Sequence, residues 1–358
     1  MQEYTFEMMW EDLNNGYQIY YTFVKNRYLL FKTAPNCYTQ KLLSDHHRNP
    51  QPRMTMLTLK RVKEMFPDME NIEYKIIGIK MAVIIDGKAL AKKIREQLKE
   101  ECSKLKKEGI LPKLAVIMVG DDPASKVYVR NKSKACNEVG IEYEEYILNS
   151  NITQEKLINL IESLNNKKDV HGILLQSPIP KNLDINEAFQ AISYKKDVDG
   201  FNPINVGKLS IGQDTFISCT PYGVIKMFEE YNIDLDGKNV VILGRSNIVG
   251  KPLIQCCLDK NATVTVCHSH TKNIKQITKN ADILISAIGK AKFVTKDMVK
   301  DGVVIIDVGI NRGEDGKLTG DVDFENVSPK ASYITPVPGG VGPMTITMLM
   351  NNVIKAAK

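Results

Sequence analysis

From about residue 81 onward the chain alternates short apolar runs with longer amphipathic stretches. The apolar runs lie at 113–120, 141–148, 171–176, 238–244, 262–267, 281–289 and 302–309. All have strand length, and most are nearly continuous in Val, Ile and Leu, the pattern of strands covered on both faces. Strands alternating with amphipathic helices build parallel sheets clothed by helices. The strand count suffices for two α/β layers, dividing near CTPYG at 219–223. A last helix-like run, GPMTITMLMNNVIKAAK, is compatible with either layer.

The first 80 residues read differently. They hold twelve of the twenty-five aromatic residues, including the sole tryptophan, Trp10. FEMMWEDLNNG predicts a short helix ended by Gly16, and YQIYYTFVKNRYLLFK predicts two β-rich runs separated by the polar KNR. A polar break, DHHRNPQPR at 45–53, follows, and MAVIIDGKALAKKI from Met81 resembles a fresh start. The expectation is a small α+β appendage. His46 and His47 sit side by side in that Pro-containing break and read as solvated residues rather than metal ligands.

Composition narrows the classes. The 358 residues are 43% hydrophobic and 25% charged, as in ordinary globular proteins. A formal charge of +6, from 48 basic and 42 acidic residues without a dominant basic block, gives no footprint for nucleic acid. Seven scattered cysteines lack any CxxC pair and read as free thiols of a reducing compartment. Runs such as LAVIMV fall far below the roughly 20 residues of a membrane helix. The acidic start MQEYTFEMMWEDL suits neither a secretory signal nor a transit peptide, so a soluble cytoplasmic protein is expected.

Two segments carry chemistry. In KNVVILGRSNIVGKPLIQCCL a buried strand runs into a glycine-bounded turn and then a helix, the context of a dinucleotide phosphate site. Gly244 and Gly250 are six apart, so the pattern departs from GxGxxG, and the strand-turn-helix order weighs more than the glycines. The next strand ends in Cys267, His268, Ser269 and His270, with no acid to receive ribose hydroxyls. Arg245 and Ser269 suit a 2′-phosphate instead, which favours NADP over NAD. ISAIG (285–289) and DVGIN (307–311) end two later strands where a nicotinamide and its ribose would pass. PVPGGVGPMT is either a rigid loop against a flat ligand or a plain interdomain turn.

The second segment is GDDPASKVYVRNKSKACNEVG. Asp122 as N-cap and Pro123 in the first turn predict a helix over 123–138, closed by Gly140. Tyr128 and Lys132 then share one face, with Ser125 a turn earlier. Gln176, Asp197 and Asp199 stand at or after the ends of apolar runs. A neutral glutamine can hold a lysine without favouring its charged form as a carboxylate does, so Lys132 with Gln176 is the better proton-transfer pair.

SKVYVRNKSKAC, GILLQSPIP, KDVDGFNP, CTP, GRSNIVGKP, DVGIN and PVPGGVGPMT together resemble the FolD family of methylenetetrahydrofolate dehydrogenases and methenyltetrahydrofolate cyclohydrolases. The resemblance spans 81–358 and excludes 1–80. It implies two α/β domains around a cleft: a catalytic domain at 81–218 completed by the C-terminal helix 341–358, and a Rossmann NADP-binding domain at 219–340. It further implies oxidation of 5,10-methylenetetrahydrofolate and hydrolysis to 10-formyltetrahydrofolate in one-carbon metabolism, without a metal, by a homodimer that binds neither nucleic acid nor membrane.

Under that resemblance Lys132 is the proton-transfer residue, Tyr128 packs on the folate ring, Gln176 tunes Lys132, and Asp199 rather than Asp197 holds the pterin. Arg245 and Ser269 contact the 2′-phosphate. Gly244, Ser246, Ile248, Gly250, His268, Ala287, Ile288, Gly289 and Ile310 line the cofactor path, and Gly340, Pro343 and Thr345 the folate loop. Ser177 departs from the family, many of whose members have an apolar residue there. A shikimate-type dehydrogenase would explain the Rossmann half but not the Tyr128, Lys132, Gln176 and Asp199 set, and a non-enzymatic nucleotide-binding regulator would leave that set without a use.

Overall fold

The computed structural model describes residues 82–313 and 316–358, and within the first 80 residues the strands at 17–23, 26–34, 37–44, 54–58 and 79–80. Those strands are β1 (Tyr17–Phe23), β2 (Asn26–Ala34), β3 (Cys37–Ser44), β4 (Met54–Thr58) and β5 (Ile79–Lys80). They form one antiparallel sheet in the order β4-β3-β2-β1-β5. The two β-rich runs expected around KNR are β1 and β2, while β3 and β4 add strands the sequence pattern did not mark. The helix expected up to Gly16 and the His46–His47 pair lie outside the described residues.

A second sheet is parallel and three-stranded, with β7 (Lys113–Val119) between β8 (Glu142–Leu148) and β9 (Gly172–Leu175). Around it stand α1 (Gly87–Lys107), α2 (Pro123–Val139), α3 (Gln154–Asn166), α4 (Ile185–Ala191) and α5 (Pro203–Ser210). Six of the seven residues of β7 are buried, which is why its sequence is almost unbroken in apolar residues.

The third sheet is parallel and six-stranded. Its order places β11 (Thr263–Cys267) beside β10 (Asn239–Leu243), then β12 (Ile283–Ser286), β13 (Val303–Asp307), β16 (Ala331–Ile334) and β6 (Val83–Ile84). A small hairpin of β14 (Asn311–Arg312) and β15 (Leu318–Thr319) projects beyond β13. The first crossover carries the chain from β10 to β11 on one side, and the next returns it to β12 on the other. That reversal is a topological switch point, where parallel sheets open a crevice beyond the carboxyl ends of the strands. The sequence pattern did not mark β6, which joins this sheet at its edge beside β16.

Helices α6 (Cys219–Glu230), α7 (Gly250–Leu258), α8 (Ile274–Lys279) and α9 (Phe324–Val327) accompany the third sheet. The closing helix α10 (Val341–Ala357) packs on α6, α1 and α2. Met344, Met348, Leu349 and Val353 of α10 join one apolar cluster with Leu114 and Val116 of β7 and with Val240 and Ile242 of β10. The Nδ2 of Asn352, buried in that helix, donates to the carbonyls of Val198 (2.8 Å) and Ile217 (3.0 Å). The two α/β halves therefore share a core along α10.

Candidate active site

Helix α2 starts where the sequence requires it. The Asp122 side chain accepts from Ser125 N–H at 2.7 Å, Pro123 occupies the first turn, and Gly140 ends the helix with φ 92°. On its surface Tyr128 is exposed and Lys132, one turn on, is half-buried. Lys132 Nζ donates to Gln176 Oε1 at 2.9 Å. The orientation of that amide is fixed from its other end, because Gln176 Nε2 donates to the Ser177 carbonyl at 2.6 Å. Ser177 contributes its backbone here, so its side-chain departure from the family leaves this clamp intact.

Charge balance around Lys132 is poised. Burial pulls its pKa below the ordinary lysine value, and nearby Asp199 opposes that shift. Burial likewise raises the Asp199 carboxyl, and Lys132 draws it back. The Asp199 Oδ1 also accepts from the Cys219 thiol at 3.5 Å. Asp197 is engaged differently: its buried Oδ2 accepts from Asn202 N–H and Asn205 Nδ2, both at 2.8 Å. Burial brings the Asp197 pKa to about 6. Of the two aspartates, Asp199 belongs with the lysine and Asp197 with the turn into α5.

The second cluster lies at the switch point. Gly244 follows β10 at φ 109°, and a Cβ there would stand 2.4 Å from the Ala287 carbonyl oxygen beyond β12. A Cβ on Gly250 would stand 2.5 Å from the Gly244 carbonyl oxygen. Both positions need glycine for close backbone approach, in the unusual six-residue spacing. Ser246 Oγ accepts from the N–H groups of Val249 (3.2 Å) and Gly250 (3.3 Å), closing the turn ahead of α7. Ile248 is exposed, and its carbonyl accepts from Ser218 Oγ at 2.6 Å, which ties this turn to the segment leading into α6.

Arg245 and Ser269 are exposed, and His268 is half-buried at the end of β11. The Arg245 charge lies close enough to lower the His268 pKa, although loss of hydration is the larger cause. His268 Nδ1 accepts from His270 N–H at 3.2 Å, which leaves Nε2 as its N–H donor. Ile288 lies against the Gly244 turn, Gly289 is exposed, and the exposed Ile310 reaches toward Gly342 at the start of α10. Gly340 caps α10, and its neighbour Gly339 accepts from Lys88 N–H at 2.9 Å. Pro343 is half-buried in the first turn, and Thr345 Oγ1 lies 2.9 Å from Thr220 Oγ1 of CTP.

Family models for the tetrahydrofolate dehydrogenase/cyclohydrolase catalytic domain and NAD(P)-binding domain match residues 85–199 and 218–358 respectively. The bifunctional FolD protein of Bacillus cytotoxicus is 56% identical over 278 residues, 78% of this chain and 97% of that protein. The chain belongs to the FolD family. Among solved FolD structures, that of the Campylobacter jejuni enzyme is 54% identical, with a TM-score of 0.77 over 77% of this chain and 98% of its own. The Trypanosoma brucei FolD, complexed with NADP cofactor and an inhibitor, is 37% identical, with a TM-score of 0.74 over 77% and 97%.

The FolD dinucleotide fits the residues present. A cradle that any Cβ would fill lies between Gly244 and Ala287, and the N-cap of α7, Val249, makes no side-chain cap bond at the helix's positive end. The Arg245 guanidinium, in the turn after β10, lies near His268 at the end of β11, and there the Ser269 hydroxyl stands in place of a carboxylate that would repel a 2′-phosphate. Two residues beside the site are not marked by the sequence: Cys219 is visible there only as part of CTP, and Asp321 lies under the cofactor-side loop. Ser125, which the sequence places a turn before Tyr128, has its hydroxyl buried without a hydrogen-bond partner. Among the described residues no group of His, Cys, Asp and Glu is placed to hold a metal ion, and no helix is long and apolar enough to cross a membrane.

Proposed function

We propose that this chain oxidises 5,10-methylenetetrahydrofolate to the 5,10-methenyl cation with NADP⁺ and hydrolyses that cation to 10-formyltetrahydrofolate. The observation that carries the reading is Lys132 Nζ held at 2.9 Å by a neutral amide, with burial lowering its pKa. A lysine whose pKa is lowered in this way gives up its proton more readily than an ordinary one, as general acid–base catalysis requires. The two halves form a catalytic unit at 81–218 with helix 341–358 and a dinucleotide unit at 219–340, with 1–80 as an appendage.

In this reading the pterin lies on Tyr128, its amino and ring N–H groups bonded to Asp199, with Gly340, Pro343 and Thr345 lining the folate loop. Arg245 and Ser269 hold the 2′-phosphate, and Gly244, Ser246, Ile248 and Gly250 hold the pyrophosphate at the start of α7. His268, Ala287, Ile288, Gly289 and Ile310 border the adenosine and nicotinamide ends. When bound, NADP⁺ supplies the acceptor for the hydride of the one-carbon bridge. Neutral Lys132 then takes a proton from the water that attacks the methenyl carbon. The resulting ammonium returns that proton to N5 as the C–N5 bond breaks, and the second proton of the water is released as the formyl C=O forms. Gln176 keeps the amine aimed throughout.

The protein acts as a cytoplasmic homodimer on a folate, with neither nucleic acid nor membrane as partner. Its mass in solution, measured by light scattering, is expected to be twice the chain mass. Purified protein given 5,10-methylenetetrahydrofolate and NADP⁺ is expected to form NADPH and then 10-formyltetrahydrofolate. Absence of NADPH would overturn the reading in favour of a different dehydrogenase or a nucleotide-binding regulator.

The amide itself is testable. Gln176→Glu places a carboxylate beside the amine and raises the lysine pKa, so less of the neutral form exists at a given pH. The rise of methenyl hydrolysis with pH is expected to move to higher pH, with about a tenfold loss at neutral pH for each pKa unit. An unmoved profile would show that the neutral amine does not limit the step.

A further inference from the structure

Beneath the loop that follows β12 lies a carboxylate with no exposed surface, Asp321. Its Oδ2 accepts from Ser286 Oγ (3.0 Å), Ile288 N–H (2.8 Å) and Gly289 N–H (3.3 Å). Its Oδ1 accepts from Lys290 N–H (2.8 Å) and Asn311 Nδ2 (3.0 Å). Five donors reach its two oxygens and offset both its burial and the nearby Asp307 carboxylate, as a buried carboxylate requires. A second buried carboxylate holds this one: Asp307 Oδ1 accepts from Asp321 N–H (3.0 Å) and Oδ2 from Val322 N–H (2.9 Å). Space for both is reserved by glycine. A Cβ on Gly309 would lie 2.2 Å from Asp321 Oδ1, and one on Gly320 would lie 1.9 Å from Asp307 Oδ2.

Three consecutive amides, those of Ile288, Gly289 and Lys290, thus form a concave anion site that the protein fills with its own side chain. In a planar trans peptide each N–H is antiparallel to the preceding carbonyl. The C=O groups of Ala287, Ile288 and Gly289 therefore turn away from Asp321, and that of Ala287 abuts the Gly244 turn. A loop with its donors spent and its carbonyls outward is suited to hydrogen-bond donors and unsuited to phosphates.

We propose that Asp321 is a positioning residue for the dinucleotide, holding the 286–290 loop so that its carbonyls receive ribose hydroxyls and the carboxamide NH₂ while the phosphates go to the 244–250 turn. This rests on the dinucleotide reading above. A preorganised loop lowers the ordering cost of binding, and the folate side, where Lys132 and Gln176 stand, lies outside the hydrogen bonds Asp321 makes.

The test is Asp321→Asn, which keeps the shape but turns an NH₂ toward N–H donors. Calorimetry with NADP⁺ is expected to give a Kd raised about tenfold, the effect of losing one charge-assisted hydrogen bond. Hydrolysis of supplied 5,10-methenyltetrahydrofolate in the absence of NADP⁺ is expected within about twofold of wild type, the scatter of a distant site. An unchanged NADP⁺ Kd, or equal losses in both measurements, would overturn the positioning role. Should Asp321→Asn fail to fold, Asn311→Ala removes one of the five donors, and a Kd raised about threefold is expected; no change there overturns the proposal. A wild-type protein that does not bind NADP⁺ would overturn the dinucleotide reading itself, and this proposal with it.

Discussion

Lys132→Met is expected to abolish hydrolysis of 5,10-methenyltetrahydrofolate, a loss of roughly 10²–10⁴-fold, the contribution of a positioned proton-transfer group. Methionine retains most of the side-chain stem, which covers apolar surface on α2, and removes only the amine that bonds Gln176 Oε1. The fold and part of the NADP⁺ affinity should therefore survive, as measured by thermal melting and by titration with the dinucleotide. Loss confined to hydrolysis separates proton transfer from assembly of the site. Undiminished hydrolysis would remove Lys132 from its role.

Arg245→Ala is expected to raise the KM for NADP⁺ about tenfold to a hundredfold while leaving that for NAD⁺ nearly unchanged. A guanidinium–phosphate contact is a charge-assisted bond of about 1.5–3 kcal/mol, and under the proposed assignment the exposed Arg245 would spend it on the 2′-phosphate. No carboxylate at the end of β11 offers NAD⁺ a compensating ribose contact. Because the residue is exposed, the difference should shrink as salt is added. Equal loss for both dinucleotides would contradict the 2′-phosphate assignment.

Much of this was legible in the sequence because burial on both faces leaves a direct trace. Strands β7, β9, β10, β12 and β13 read as continuous Val, Ile and Leu runs, and the Tyr128–Lys132 spacing placed both residues on one face of a capped helix. Strands β6 and β16 left no such trace. Strand β6 is two exposed residues, and β16, ASYI, is buried only at its two ends, so neither carries the unbroken apolar run of a strand covered on both faces. In the sequence the last helix suits either layer because it is apolar around most of its surface. The structure uses that surface against α1, α2 and α6 at once.

Polar residues were legible where they break a pattern and hidden where they complete one. Gln176 ends an apolar run and so stood out. Asp307 ends another, but nothing local indicates that its oxygens hold the chain fourteen and fifteen residues later. Asp321 lies in GDVDF, a stretch that reads as a solvated turn, and only the fold turns three amides onto it. The choice of Asp199 over Asp197 came from resemblance, and its physical reason is tertiary: Asp197 is consumed by Asn202 and Asn205.

A crystal structure of the chain with NADP⁺ and a non-reactive folate analogue measures the central arrangement directly. The expected result is a pteridine stacked on Tyr128, with Lys132 Nζ and the nicotinamide on either side of the one-carbon position and the amine within a water-bridged reach of about 3–5 Å. An amine turned into bulk solvent, with the pteridine bound elsewhere, would contradict the account.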